Sequence, residues 1–133
     1  MGKVNSNDNS RIIVVQKLYS HFLNKESELI FPKHRYKKFI KDTVLGTIER
    51  EEFLLKNLKT ILKDEFNPSR TDLILKLMIL SATFELMFGH KTPTNVVVSE
   101  YVKISDFFLE TAHKGYLNAI LDKISKNVRK NHE

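Results

Sequence analysis

The sequence predicts an all-α fold, a compact bundle of about six or seven helices. Three observations carry that expectation. Apolar residues recur at intervals of three and four along most of the chain. The three prolines of the 133 residues fall between the periodic segments rather than inside them. No stretch alternates convincingly with period two, apart from Val96-Val97-Val98, and that run sits inside a helical register despite its strand propensity.

The first helix is expected at about 10–23, where Ile12, Val15, Leu18, Tyr19, Phe22 and Leu23 share helical spacing. Ser10 or Asp8 could cap it, since a short side-chain oxygen satisfies an orphan backbone N–H. Residues 24–33 read as a loop, with Pro32 fixing its exit. A second helix over roughly 34–45 turns Tyr36, Phe39, Ile40 and Val44 inward and ends at Gly46. The third starts within 47–53 and runs to about 65, with Phe53, Leu54, Leu58, Ile61 and Leu62 on its apolar side.

Asn67-Pro68-Ser69 is a break, and Ser69 with Asp72 approximates a capping box for the next helix. That fourth helix, about 70–88, is the core element. Between Leu73 and Phe88 its only charges are Lys76 and Glu85, so most of its circumference must be buried. Gly89 ends it. Thr92-Pro93-Thr94 opens a fifth helix with Val97, Tyr101, Ile104 and Phe108 on one face, and a sixth over about 112–127 carries Tyr116, Leu117, Ile120, Leu121 and Ile124. Short connections imply antiparallel neighbours.

Size and composition fit one helical domain over residues 10–130, preceded by a polar tail over 1–9 too poor in apolar residues to offset its own ordering entropy. The net charge of +6 favours polyanionic partners. The chain has no cysteine, so neither a disulfide framework nor a thiolate zinc site is open to it. No apolar run approaches the roughly 20 residues that span a bilayer, and the amino end lacks the apolar core of a secretory signal. A cytoplasmic protein is expected.

Catalysis has little to work with. His21, His34, His90, His113 and His132 show no metal-binding spacing, no glycine-rich phosphate loop exists, and no Gly-x-Ser-x-Gly elbow occurs. Neither an enzyme nor a cofactor is expected. Glu85 stands out between Phe84 and Leu86, where an unpaired carboxylate would be costly. It has either a partner inside the fold or an open face that a partner protein covers. Tyr19 poses the same question, since its amphipathic ring suits core or interface.

Cations gather at the two ends of the chain and in Lys33-His34-Arg35-Tyr36-Lys37-Lys38. Arg11 and Lys17 lie on the first helix. Lys114, Lys123, Lys126, Arg129 and Lys130 lie on the last helix and its tail. Single-stranded RNA is held by cations along its phosphates and by aromatic faces under its bases. Tyr116 offers such a face, and Asn118 an amide able to read a base edge.

Several segments together give a resemblance: Arg11 to Tyr19 (RIIVVQKLY), Phe84-Glu85-Leu86, Pro93 with Val96 and Glu100, and Tyr116 to Lys123 (YLNAILDK). In this order and spacing the chain resembles the NusB family of bacterial transcription antitermination factors, from about Ser10 to Lys130. The resemblance implies two packed helical subbundles and no enzymatic activity. It implies binding, together with the ribosomal protein NusE, to boxA RNA in ribosomal RNA transcripts, and RNA polymerase that reads through terminators. Residue by residue, it implies that Arg11, Tyr116, Asn118 and Lys114 meet RNA, the last three on one edge. Lys17 and Lys123 join them as cations of the same helices. Tyr19 and Glu85 match positions on the NusE-binding face.

Three departures from the family pattern stand in this chain. The arginine-rich arm is replaced by Asn5-Ser6-Asn7-Asp8-Asn9-Ser10-Arg11, with only Lys3 and Arg11 cationic. Gly115 stands where a polar residue is usual, and Tyr101 replaces a small residue, so local packing must differ. A protein-only interaction module of the same fold is the second reading, and both monomer and homodimer are compatible with the sequence.

Overall fold

A short polar side chain ahead of the first apolar residue does start the first helix, and it is Asn9. In the computed structural model, which describes residues 9–129, Asn9 Oδ1 accepts from the backbone N–H groups of Arg11 and Ile12. Ser10 is instead the first helical residue. The alternative cap Asp8, the rest of the tail over 1–8 with Lys3, and Lys130 and His132 lie outside the described residues.

Six α-helices follow one another: α1 (Ser10–Leu23), α2 (Lys37–Glu49), α3 (Glu51–Leu62), α4 (Leu73–Phe88), α5 (Thr94–Phe108) and α6 (Thr111–Val128). Two 3₁₀ turns, Lys63–Glu65 and Pro68–Arg70, connect α3 to α4. Among the described residues there is no strand, and the valine run lies inside α5. Asp72, not a Ser69–Asp72 box, caps α4: its carboxylate accepts from the Leu75 N–H, while the Ser69 hydroxyl turns to Asn67.

The sequence misplaces the end of α2 for a physical reason. α2 runs through Gly46 to Glu49, taking Thr47 and Ile48 with it, and Arg50 alone separates it from α3. A Cβ built on Gly46 would stand 2.2 Å from Phe84 Cζ, so this glycine makes room for a ring of α4 and does not stop the helix. α3 ends early, at Leu62, because Lys63 takes a positive φ of 50° that the helix cannot continue. Two rings expected inside are exposed: Phe53, against Phe88, and Tyr36, at the amino end of α2.

α4 is the axis of the fold and packs against all five other helices. Leu75, Leu77, Met78, Ile79, Leu80, Ala82 and Leu86 are buried around its circumference, as the near-absence of charge requires. α1 and α2 pack on each other and on one part of α4. α6 packs between α3 and α5 on the rest, closing the second subbundle.

Candidate nucleic-acid interface

α6 carries four of the expected RNA contacts, and helix geometry separates them into two pairs. At about 100° per residue, Lys114 and Asn118 fall together, as do Tyr116 and Lys123 seven residues apart. The buried stripe of Leu117, Ile120, Leu121 and Ile124 runs between the pairs. The single edge expected for Lys114, Tyr116 and Asn118 is therefore not present. That split was readable from the helical register alone.

Lys114 and Asn118 face α5 across an open groove of about 690 Å³, lined also by Val98, Ser99, Val102 and Asp122. Lys114 Nζ spans both carboxylate oxygens of Asp106, at 2.9 and 3.0 Å. Gly115, with nothing within 4 Å of where its Cβ would be, sits inside α6 and does not delay its start. Tyr116 and Lys123 instead reach the 3₁₀ turn after α3. The Tyr116 hydroxyl donates to the Glu65 carbonyl at 2.7 Å, and Lys123 Nζ to Glu65 Oε1 at 2.6 Å. Partial burial, then the Glu65 charge, hold the Tyr116 phenol above its ordinary pKa.

Arg11 and Glu85 do not open outward. Glu85 is 3% exposed. Arg11 Nε donates to its Oε2 at 3.0 Å and Nη2 to its Oε1 at 2.6 Å, a fork-to-carboxylate pair. The Tyr101 hydroxyl donates to Oε2 at 2.6 Å. The Arg11 guanidinium also lies 4.9 Å from the Phe39 ring centre. The structure gives Glu85 its partners inside the fold, and the Arg11 guanidinium is directed to that carboxylate. The cause is the cost of an unpaired charge in the apolar wall of α4, met here from α1 and α5 together. Tyr101, the bulky departure from the family pattern, supplies the third group.

Burial works against the Arg11 charge, but Glu85, with Tyr101 and Glu100, more than offsets it, leaving its pKa raised. Burial, then Glu85, hold the Tyr101 phenol well above its ordinary value. A tyrosine whose folded pKa exceeds its unfolded one keeps its proton longer when folded. Its contribution to stability is complete below the unfolded pKa of about 10 and is lost as pH rises beyond it. Stability measured by urea titration is expected to fall between about pH 10 and 11. In Tyr101→Phe that fall should be shallower, from a start about 1–2 kcal/mol lower at pH 7.

Arg129, grouped by sequence with the cationic tail, is a structural residue. It is 3% exposed and its guanidinium donates to the carbonyls of Glu85, Leu86 and Gly89, closing the carboxyl end of α4. It donates also to Thr92 O, at 2.6 Å, tying down the turn into α5. A cation at a helix carboxyl end is where the macrodipole favours one. Nothing in the local sequence signals this, since the bonded carbonyls lie some forty residues earlier.

Of the remaining expected residues, Tyr19 is 37% exposed on α1, one turn from the exposed Leu23. Lys17 is half-buried on α1 and does not line the α5–α6 groove. Among the described residues no helix is long and apolar enough to cross a membrane, and no group of three metal-ligating side chains is assembled.

Comparison with known proteins gives the family and the fold. The sequence model of the NusB family matches residues 8–126. The transcription antitermination protein NusB of Sphingopyxis alaskensis is 27% identical over 96% of this chain and 97% of its own length. That of Rhodopseudomonas palustris is 28% identical over 96% of this chain and 85% of its own length. A structure of NusB from T. maritima superimposes with a TM-score of 0.80, covering 98% of this chain and 97% of that one at 19% identity, a likeness of fold.

Proposed function

The chain belongs to the NusB family, and from that premise we propose that it is a non-catalytic, RNA-binding transcription antitermination factor of the cytoplasm. It binds boxA RNA of ribosomal RNA transcripts together with NusE and helps RNA polymerase read through terminators. The observation that carries this reading is the family match over residues 8–126, which spans every helix but the last two residues of α6. The polar groups of α6 support it: exposed Asn118 with half-buried Lys114 along one flank, exposed Lys123 with half-buried Tyr116 along the other. Tyr19, open on α1, is the residue we assign to the NusE face.

A second reading rests on a specific observation. Lys114 and Lys123 each already hold a carboxylate, and Arg11 is turned inward. Exposed pairs of that kind are worth little and can be exchanged for phosphates, but their presence lowers the free positive charge and fits a protein-only module.

Fluorescence anisotropy of boxA RNA, with and without NusE and against a scrambled RNA, separates the two. The first reading expects selective binding that tightens with NusE. For about four phosphate contacts on a single strand, log K should fall against log salt with a slope of roughly −3. Tyr116→Ala should weaken binding by about 1–3 kcal/mol if a base stacks there. Equal, weak binding to both RNAs, unchanged by NusE, would establish the second reading.

A further inference from the structure

The basic and aromatic run at the amino end of α2 belongs to neither flank of α6. Lys33, Arg35, Tyr36, Lys37, Lys38 and Lys41 are all exposed. Only Lys38 has a carboxylate within ion-pair distance among the described residues, that of Asp42 at 2.7 Å. Lys37 and Lys41, four residues apart, share one face of α2. The first turn of α2 contains no acid, and no side chain caps it. Lysines there oppose the helix macrodipole and one another, a set of small costs that an anion laid across them would remove.

Tyr36 is held for presentation rather than burial. Its backbone N–H donates to His34 Nδ1 at 2.9 Å, and the Arg35 guanidinium sits 5.2 Å from its ring centre. Tyr36 remains 51% exposed and borders an open groove of about 460 Å³ that also contains Arg11, Phe39, Val96 and Glu100. An acidic peptide would use the charges and need no aromatic face. A single strand of RNA uses both, phosphates on the cations and a base on the ring.

We propose that this surface at the amino end of α2, Tyr36 with Lys33, Arg35, Lys37 and Lys41, is a binding site for a single-stranded RNA segment, with the Tyr36 ring stacking on a base. The proposal rests on the RNA-binding reading above and adds to it a contact surface on α2, away from α6. It also gives the chain a set of free cations in place of Arg11.

The test compares the full chain with two triple variants of equal charge change. One is Lys33→Gln, Lys37→Gln and Lys41→Gln; the control is Lys25→Gln, Lys56→Gln and Lys59→Gln. Each is titrated against boxA RNA and a short oligouridylate over a salt series, with Tyr36→Ala and Tyr116→Ala alongside. Circular dichroism confirms that every variant is folded. The α2 variant should lose roughly 30- to 100-fold in affinity near 0.1 M salt, and its salt slope should shrink by about 2, or about 0.7 for each lost contact. Tyr36→Ala should lose roughly 5- to 100-fold, and the control triple should change little.

If the α2 triple and Tyr36→Ala bind like the wild type while Tyr116→Ala weakens binding, the inference is overturned and the RNA-binding reading stands. If the wild type binds neither RNA, alone or with NusE added, both fall. Polyglutamate or anionic phosphatidylserine vesicles that compete as well as oligouridylate, with Tyr36→Ala unaffected, would mark a generic polyanion surface and overturn the assignment to RNA.

Discussion

Glu85→Ala is expected to lower the free energy of unfolding by about 3–5 kcal/mol. The carboxylate is the meeting point of three helices, joining Arg11 of α1 and Tyr101 of α5 to α4. Removing it leaves a mostly buried guanidinium and a fully buried phenol without their acceptor, and the cost of those stranded groups exceeds the worth of the bonds themselves. With a urea slope near 2 kcal/mol per molar, the midpoint should fall by roughly 2 M. The double variant Glu85→Leu with Arg11→Met should recover much of the loss, because apolar groups of similar size strand nothing. A double variant as unstable as Glu85→Ala would show that the network contributes more than the avoidance of unpaired charge.

Arg129→Lys should cost about 2–4 kcal/mol despite preserving the charge. The guanidinium serves four carbonyls at once through its fixed fork, and an ammonium on a flexible stem reaches at most some of them. The loss should be local before it is global. Amide exchange is expected to quicken through residues 89–92, where the turn into α5 is held by Gly89 O and Thr92 O. Thermal melting together with residue-resolved exchange checks both parts. Unchanged exchange there would mean that the turn is secured by its own backbone bonds, such as Thr92 N–H to Gly89 O.

Helix existence was legible throughout, because the period of 3.6 is written locally in runs such as Ile12, Val15, Leu18 or Leu117, Ile120, Leu121, Ile124. So was the central place of α4, which has too little charge to face water on any side. Helix ends were less so. Gly46 looks like a stop and is a packing position, since the ring that needs its missing Cβ belongs to Phe84 on another helix. Tyr36 and Phe53 have the hydrophobicity of core residues, yet Tyr36 stands at the amino-terminal cap position of α2 and Phe53 lies in the first turn of α3, and both are left exposed.

The candidate site was legible in its residue types and not in its arrangement. Tyr116, Asn118, Lys114 and Lys123 all lie on α6, but the core stripe between them makes two flanks of one expected edge. Arg11 and Arg129 read as free cations. One is consumed 74 residues away by a carboxylate, the other more than thirty-five residues away by carbonyls.

The amino-acid sequence by itself determined that this chain is helical, which helix forms its axis, and to which family it belongs, since periodicity, capping and motif order are properties of neighbours along the chain. Only the tertiary structure decided which charges remain for a partner. Burying Glu85 in the wall of α4 demanded a cation, and closing the end of α4 demanded another. Which arginines met those demands depended on the packing of α1, α5 and α6 around α4, a matter of distance in space that spacing in sequence does not contain.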